Sequence, residues 1–263
     1  MSFTHFYTVG YQNKELRSGG NSFIAGTFKS VGKDLDKITL GDFTPTDGED
    51  GWAYDSDYVA FINPNGTFGA KYTYVTPFMA GPEVLDDEDL IGWWNYDDAR
   101  LEKFEQGKVG STPVPFGTGF AVFTGAADSH MTFSGEVLSD DYGIPLRSGG
   151  NTFTGIVCPA DIMIGKLAAT DGEDGWAYDS DYIAMINPNG TFGAKYTYVT
   201  PFMAGPEVLD DEDLIGWWNY DDARMEKFEQ GLVDEKVELL AGQAIAVFTG
   251  ASNCELVVPS ALP

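Results

Sequence analysis

Residues 58–75 read as two runs rich in β-branched and aromatic side chains, Tyr58-Val59-Ala60-Phe61-Ile62 and 67–75, separated by Asn63-Pro64-Asn65-Gly66. Pro64 presets φ for a type I turn, and Gly66 accepts the positive φ of the bulge that follows it, so the pattern predicts a β-hairpin. Further short strands are expected at 22–27, 37–40, 91–95 and 120–124, set apart by clusters of Gly, Pro, Asp and Ser. Short strands with frequent turn signals predict a mainly β chain with little helix, of the sandwich-like kind. One segment, 97–106, reads as a helix capped by Asp97 or Asp98 and ended by Gly107, or as an irregular strand. Its apolar positions, Ala99, Leu101 and Phe104, are too few to separate the two.

The same pattern then occurs again. Residues 46–107 return as 170–231 with three changes, Val59/Ile183, Phe61/Met185 and Leu101/Met225, each apolar for apolar. A period near 125 residues is the size of a domain, far above that of a solenoid repeat. Positions 59 and 61 lie two apart in one strand and share a face, which marks that face as buried: Val to Ile adds bulk where Phe to Met removes it. The flanks keep only anchors, Arg17-Ser-Gly-Gly-Asn21 with Arg147-Ser-Gly-Gly-Asn151, and Ala121-Val-Phe-Thr-Gly125 with Ala246-Val-Phe-Thr-Gly250. Selection on a shared surface and recent recombination both account for a centre more alike than its flanks. The organisation expected is two tandem β-sandwich-like domains related by internal duplication, 1–135 and 136–263, each large enough for its own core. The junction holds no flexible linker, so the domains are expected end to end, as a rod.

Charge narrows the partners. The formal net charge is −26, and both nucleic acid and anionic lipid surfaces repel a chain of that sign. No segment approaches the roughly 18 apolar residues of a membrane span, so insertion is not expected. The first ten residues lack a basic n-region and an apolar h-region, so the chain is expected to be made without a secretory signal or to have had one replaced.

Candidate chemistry is sparse. Adjacent Trp93 and Trp94, with their twins Trp217 and Trp218, cannot all face inward if neighbouring strand residues alternate faces, so one of each pair is expected to be partly exposed, as a platform for a glycan or a partner domain. Gly-flanked acidic loops offer oxygens for calcium: Asp47, Glu49, Asp50, Asp55 and Asp57, repeated as Asp171, Glu173, Asp174, Asp179 and Asp181. The Asp86-Asp87-Glu88-Asp89 run is repeated likewise. Cys158 and Cys254, the two cysteines, are candidates for a bridge within the second unit, on which the fold does not depend because the first unit lacks both. With no CxxC and only His5 and His130, zinc has too few ligands. Carboxylates are too numerous for a close pair to count as a catalytic motif. There is no Gly-x-Ser-x-Gly, P-loop or His-Glu-x-x-His, and two histidines outside the duplicated block cannot serve two equivalent sites.

The stretches Val9-Gly10-Tyr11-Gln12, Gly117-Thr118-Gly119-Phe120 and Thr132-Phe133-Ser134-Gly135-Glu136-Val137 resemble the opening, late and closing signatures of uncharacterised tandem β-domains in exported bacterial surface proteins. The second unit departs from this pattern with Gly242-Gln243-Ala244-Ile245 and Cys254-Glu255-Leu256-Val257-Val258. The resemblance carries no activity and implies a location outside the cell. The function expected is therefore non-enzymatic: a structural or adhesive protein of an extracellular surface layer, filament or virion exterior, partnered with itself or with other surface or virion proteins. The alternative is a bivalent carbohydrate-binding protein using the Trp pairs.

Overall fold

The computed structural model describes residues 8–47, 51–80, 88–170, 176–187, 189–201 and 214–262. The first unit runs β1 (Val9–Glu15), β2 (Gly20–Ala25), β3 (Phe43–Pro45), β4 (Tyr58–Ile62), β5 (Phe68–Val75), β6 (Gly92–Asn95), helix α1 (Tyr96–Arg100), β7 (Gly119–Thr124) and β8 (His130–Glu136). The second runs β9 (Tyr142–Pro145), β10 (Gly150–Gly155), β11 (Ile162–Met163), β12 (Ala168–Ala169), β13 (Tyr182–Ile186), β14 (Phe192–Val199), β15 (Gly216–Asn219), helix α2 (Tyr220–Arg224), β16 (Glu238–Leu239), β17 (Ala244–Thr249) and β18 (Glu255–Val258). Each unit holds a five-stranded sheet, β2-β7-β4-β5-β6 or β10-β17-β13-β14-β15, and a three-stranded one, β1-β8-β3 or β12-β18-β9; β11 and β16 form a separate ribbon. The chain is mainly β with little helix, as the pattern predicts.

The hairpin forms between β4 and β5, with a register shift between Ala60 and Ile62 and Gly66 at φ +82°. Val59 and Phe61 both pack toward the core of the first unit, beneath Phe120 and Val122 of β7. Strands are also found near 22–27, 91–95 and 120–124. The segment 37–40 is different. It lies between two 3-10 turns, because Thr39 and Asp42 close a capping box in which the Asp42 carboxylate accepts from the Thr39 N–H at 2.8 Å. The helix of 97–106 is a single turn. Asn95 caps it, one residue before it begins, with its side chain accepting from the Asp97 N–H at 3.1 Å. Positive φ at Glu102 and Phe104 ends it well before Gly107, and the twins Glu226 and Phe228 do the same after α2.

The expectation of two tandem sandwiches end to end is overturned. The sheets stand in a four-bladed, propeller-like ring, and the two five-stranded sheets meet through β2 and β7 of one unit against β10 and β17 of the other. The reason lies in the alternation along β7 and β17. Phe120 and Val122, like Ile245 and Val247, point into their own unit's core, while Ala121, Ala244 and Ala246 point the other way and are just as buried. Small side chains on that second face let another sheet approach closely, so both faces of these strands are covered.

The contact repeats itself under a local twofold. Ile24 bridges Gln243, and its counterpart Thr154 bridges Thr118, the counterpart of Gln243. Phe23 lies against Gly190, and its counterpart Phe153 lies against Gly66. The turn glycine therefore has two duties in each unit: it takes a positive φ, and it leaves the space that the other unit's phenyl ring fills. At the axis Ala25 meets its own counterpart, Gly155. A second methyl there would collide with the first, so the pair is Ala with Gly.

Candidate functional site

The Trp pairs are in place and buried. Trp93, Trp94, Trp217 and Trp218 are 2%, 4%, 0% and 3% exposed. Neighbours do alternate faces, but each face has its own cover. Trp93 enters the main core and donates from Nε1 to the Phe43 carbonyl at 3.0 Å; Trp217 does the same to Leu167 at 2.9 Å. Trp94 and Trp218 enter a second, smaller core roofed by the segment after the helix, with Phe104 and Phe228 edge-on at 4.7 Å and Leu90 and Leu214 accepting from Nε1. The expected partly exposed indole is thus absent from both pairs, because one helical turn and a kinked loop cover the outer face of the strand. Aromatic rings at the surface lie elsewhere. Tyr58 stacks on Phe123 with centroids 5.5 Å apart and meets Tyr96 at 5.2 Å, with the Lys71 ammonium 4.3 Å over Tyr58. Tyr182, Phe248, Tyr220 and Lys195 repeat this. The sequence signal for it was the cross-strand pairing of β4 with β7, which needs the register to be known.

The acidic loops divide. Asp57 and Asp181 are each 1% exposed and spend their carboxylates on the protein itself. Asp57 accepts from the Ala53 N–H at 3.1 Å, the Gly125 N–H at 2.9 Å and the Thr124 hydroxyl at 2.9 Å; Asp181 accepts from Ala177, Gly250 and Thr249 in the same way. Both tie the turn before β4 or β13 to the end of β7 or β17. Their role is to hold these donors, the threonine hydroxyl among them buried, which corrects their assignment as calcium ligands. Asp47 accepts from the Phe78 N–H at 3.2 Å, and Asp55 and Asp179 are exposed. Glu49, Asp50, Asp171, Glu173 and Asp174, and the acids 86–87 and 210–213, lie outside the described residues. Among the described residues no three His, Cys, Asp or Glu side chains converge as a metal group, and no helix is long and apolar enough to cross a membrane.

The proposed bridge is corrected as well. Cys158 and Cys254 are not joined by a disulfide; both are buried in the core of the second unit, and burial pushes the Cys158 thiol up. A further acid, the half-buried Asp234, has no counterpart side chain in the first unit, where Gly110 stands. Its carboxylate accepts from the Trp217 N–H at 2.7 Å; burial raises its pKa, that N–H opposes the rise, and Glu235 adds to it.

A recess also lies between the units. A groove of about 570 Å³ is walled by Phe61, Pro64, Pro115 and Phe116 of the first unit and by Tyr142, Ile144 and Phe153 of the second, with Asp36 at its margin. Phe116 and Tyr142 meet edge to face at 5.0 Å, and burial, reinforced by Glu255, raises the Tyr142 phenol. Thr154 crosses the seam, donating its hydroxyl to the Gly117 carbonyl at 2.7 Å. The local twofold places a matching cleft on the opposite side, and there the flanks have diverged. Lys14 stands where Ile144 does, Ala241 where Phe116 does, and the Lys14 ammonium donates to the Ala241 carbonyl across the seam. The groove is thus a product of the divergent flanks, and reading it required the interface. Comparisons of the chain with protein-family models, with curated proteins and with solved structures find no match.

Proposed function

We propose that the chain is a non-enzymatic structural or adhesive building block of an extracellular layer, filament or virion exterior. The observation that carries this reading is the interface between the units. Two duplicated units associate through an isologous face, with Phe23 and Phe153 each seated on the other unit's turn glycine and paired bridges at Ile24–Gln243 and Thr118–Thr154. The fold therefore already uses association between related units inside one chain, which assembly of further copies would extend through other surfaces, and the buried acids Asp57 and Asp181 serve the fold itself. An acidic shell of net charge −26 keeps single chains apart until salt or a divalent cation offsets the repulsion, which monovalent salt screens over about 10 Å at 0.1 M. The exterior location rests on the resemblance to exported tandem β-domains.

The test is sedimentation velocity of the full chain across a salt series, with and without calcium. Assembly is expected to grow with ionic strength and more steeply with calcium. A monomer under every condition would remove the self-assembling part of the reading.

A further inference from the structure

We propose that the groove between the units docks a lysine side chain of a partner polypeptide, its alkyl stem against Phe116, Tyr142 and Pro115 and its ammonium toward Asp36. This goes beyond the structural role and does not depend on it.

Three observations carry it. First, the twofold-related cleft already holds this group. There Lys14, half-buried, runs from β1 across the seam and donates to a backbone carbonyl of the other unit. Burial is the main influence on its pKa, lowering it, while the carboxylate of Asp161 pulls the other way. Asp161 precedes Ile162, the counterpart of Ile38, so Lys37 stands at its position in the first unit and Asp36 one residue earlier. The matching loop of the first unit brings Asp36 to the edge of the open groove. The open groove thus has a carboxylate at its edge, and in the related cleft a lysine spans the seam within the influence of one.

Second, charge complementarity selects a cation. Asp36 is the single charged residue among those lining the groove, and it belongs to a chain of net charge −26, whose field concentrates cations at its surface. Asp36 is exposed and pairs with its own neighbour Lys37 at 2.6 Å, an exchangeable surface contact worth little. Third, the walls suit an aliphatic stem. Lysine carries four methylenes that lie along apolar and aromatic surfaces while the head stays at the polar edge. A volume of about 570 Å³ falls among sites that take a whole small ligand, larger than one side chain needs, so the backbone on either side of the lysine enters with it. This favours a polypeptide over a free amine.

The experiment is ¹H–¹⁵N NMR titration of the full chain with three probes: capped Gly-Gly-Lys-Gly-Gly, the same peptide with norleucine for lysine, and pentylammonium. The lysine peptide is expected to shift the amides of Phe116, Gly117, Ile144 and Phe153 saturably, and to bind more tightly than either other probe. Asp36→Asn is expected to weaken it roughly fivefold, the scale of one exposed ion pair, and Lys37→Ala, which frees the Asp36 carboxylate, to tighten it. Both substitutions are at exposed positions and leave the core untouched. No saturable shifts, or equal binding of the norleucine peptide, overturns the proposal. Pentylammonium binding as tightly as the peptide overturns the polypeptide as occupant, and affinity unchanged in both variants overturns the role of Asp36.

Discussion

At the scale of single residues, the buried acids show how the same side chain serves or strains the fold according to its donors. Asp57 and Asp181 each gather two backbone N–H groups and a hydroxyl, whereas the half-buried Asp234 accepts from the Trp217 N–H. Its folded pKa is raised, mainly by burial. The native state therefore holds this proton more tightly than the unfolded chain does. Stability from this group is fully present below the ordinary aspartate range and is lost as pH rises through the raised value. Asp234→Asn keeps an acceptor for the Trp217 N–H and removes the half-buried charge. Its melting temperature is expected to exceed that of the parent at pH 7, with the gap closing as pH falls below the ordinary aspartate range. A gap that is constant with pH would show that the charge is not the cause.

Among elements, the loops are held by side chains more than by regular hydrogen bonding. The turn before β4 is tied to the end of β7 through Asp57, which is 1% exposed. Asp57→Ala takes the carboxylate from two part-buried N–H groups and the buried Thr124 hydroxyl, at a cost of about 3 kcal/mol. Asp181→Ala is expected to cost the same in the second unit, because the donors there are the same in kind. Chemical denaturation read by Trp fluorescence measures both, since Trp52 and Trp176 sit five positions before these acids and donate to Thr73 and Thr197. Little loss from either variant would mean that water replaces the carboxylate. The helices follow the same logic: one turn each, set by the Asn95 and Asn219 caps and ended by residues at positive φ.

For the whole molecule, the decisive contact is the meeting of Ala25 with Gly155 at the local axis. Gly155→Ala sets two methyl groups in the space of one and is expected to cost about 1–3 kcal/mol, the range for overpacking. Ala25→Gly in the same chain moves the single methyl to the other side of the axis. The double variant is expected to regain most of the loss, with a coupling energy that a double-mutant cycle resolves by denaturation. Additive effects would place the two residues out of contact and with them the interface between β2, β7, β10 and β17.

Several features were legible before any coordinates. The hairpin of β4 and β5 was readable because Pro64 and Gly66 have their own backbone preferences, which no distant contact overrides. The β class followed from short apolar runs between turn residues, and the duplication from the letters alone. The 3-10 turns around 37–40 were not legible, since a carboxylate returning to cap Thr39 outweighs strand propensity. Nor was the cover over Trp94, because alternation tells which face a residue takes and not what lies on that face. The arrangement of the units and the groove between them belong to tertiary structure for the same reason: Ala121, Ala244 and Ala246 look like unremarkable small residues until another sheet is laid on them. By itself the sequence determined the two units, their β character, their charge and the turn between β4 and β5, all set by local backbone chemistry and composition. Tertiary structure decided that the units meet face to face, that the indoles are covered and that one seam stays open, because these depend on which surfaces remain to be buried once each sheet has formed.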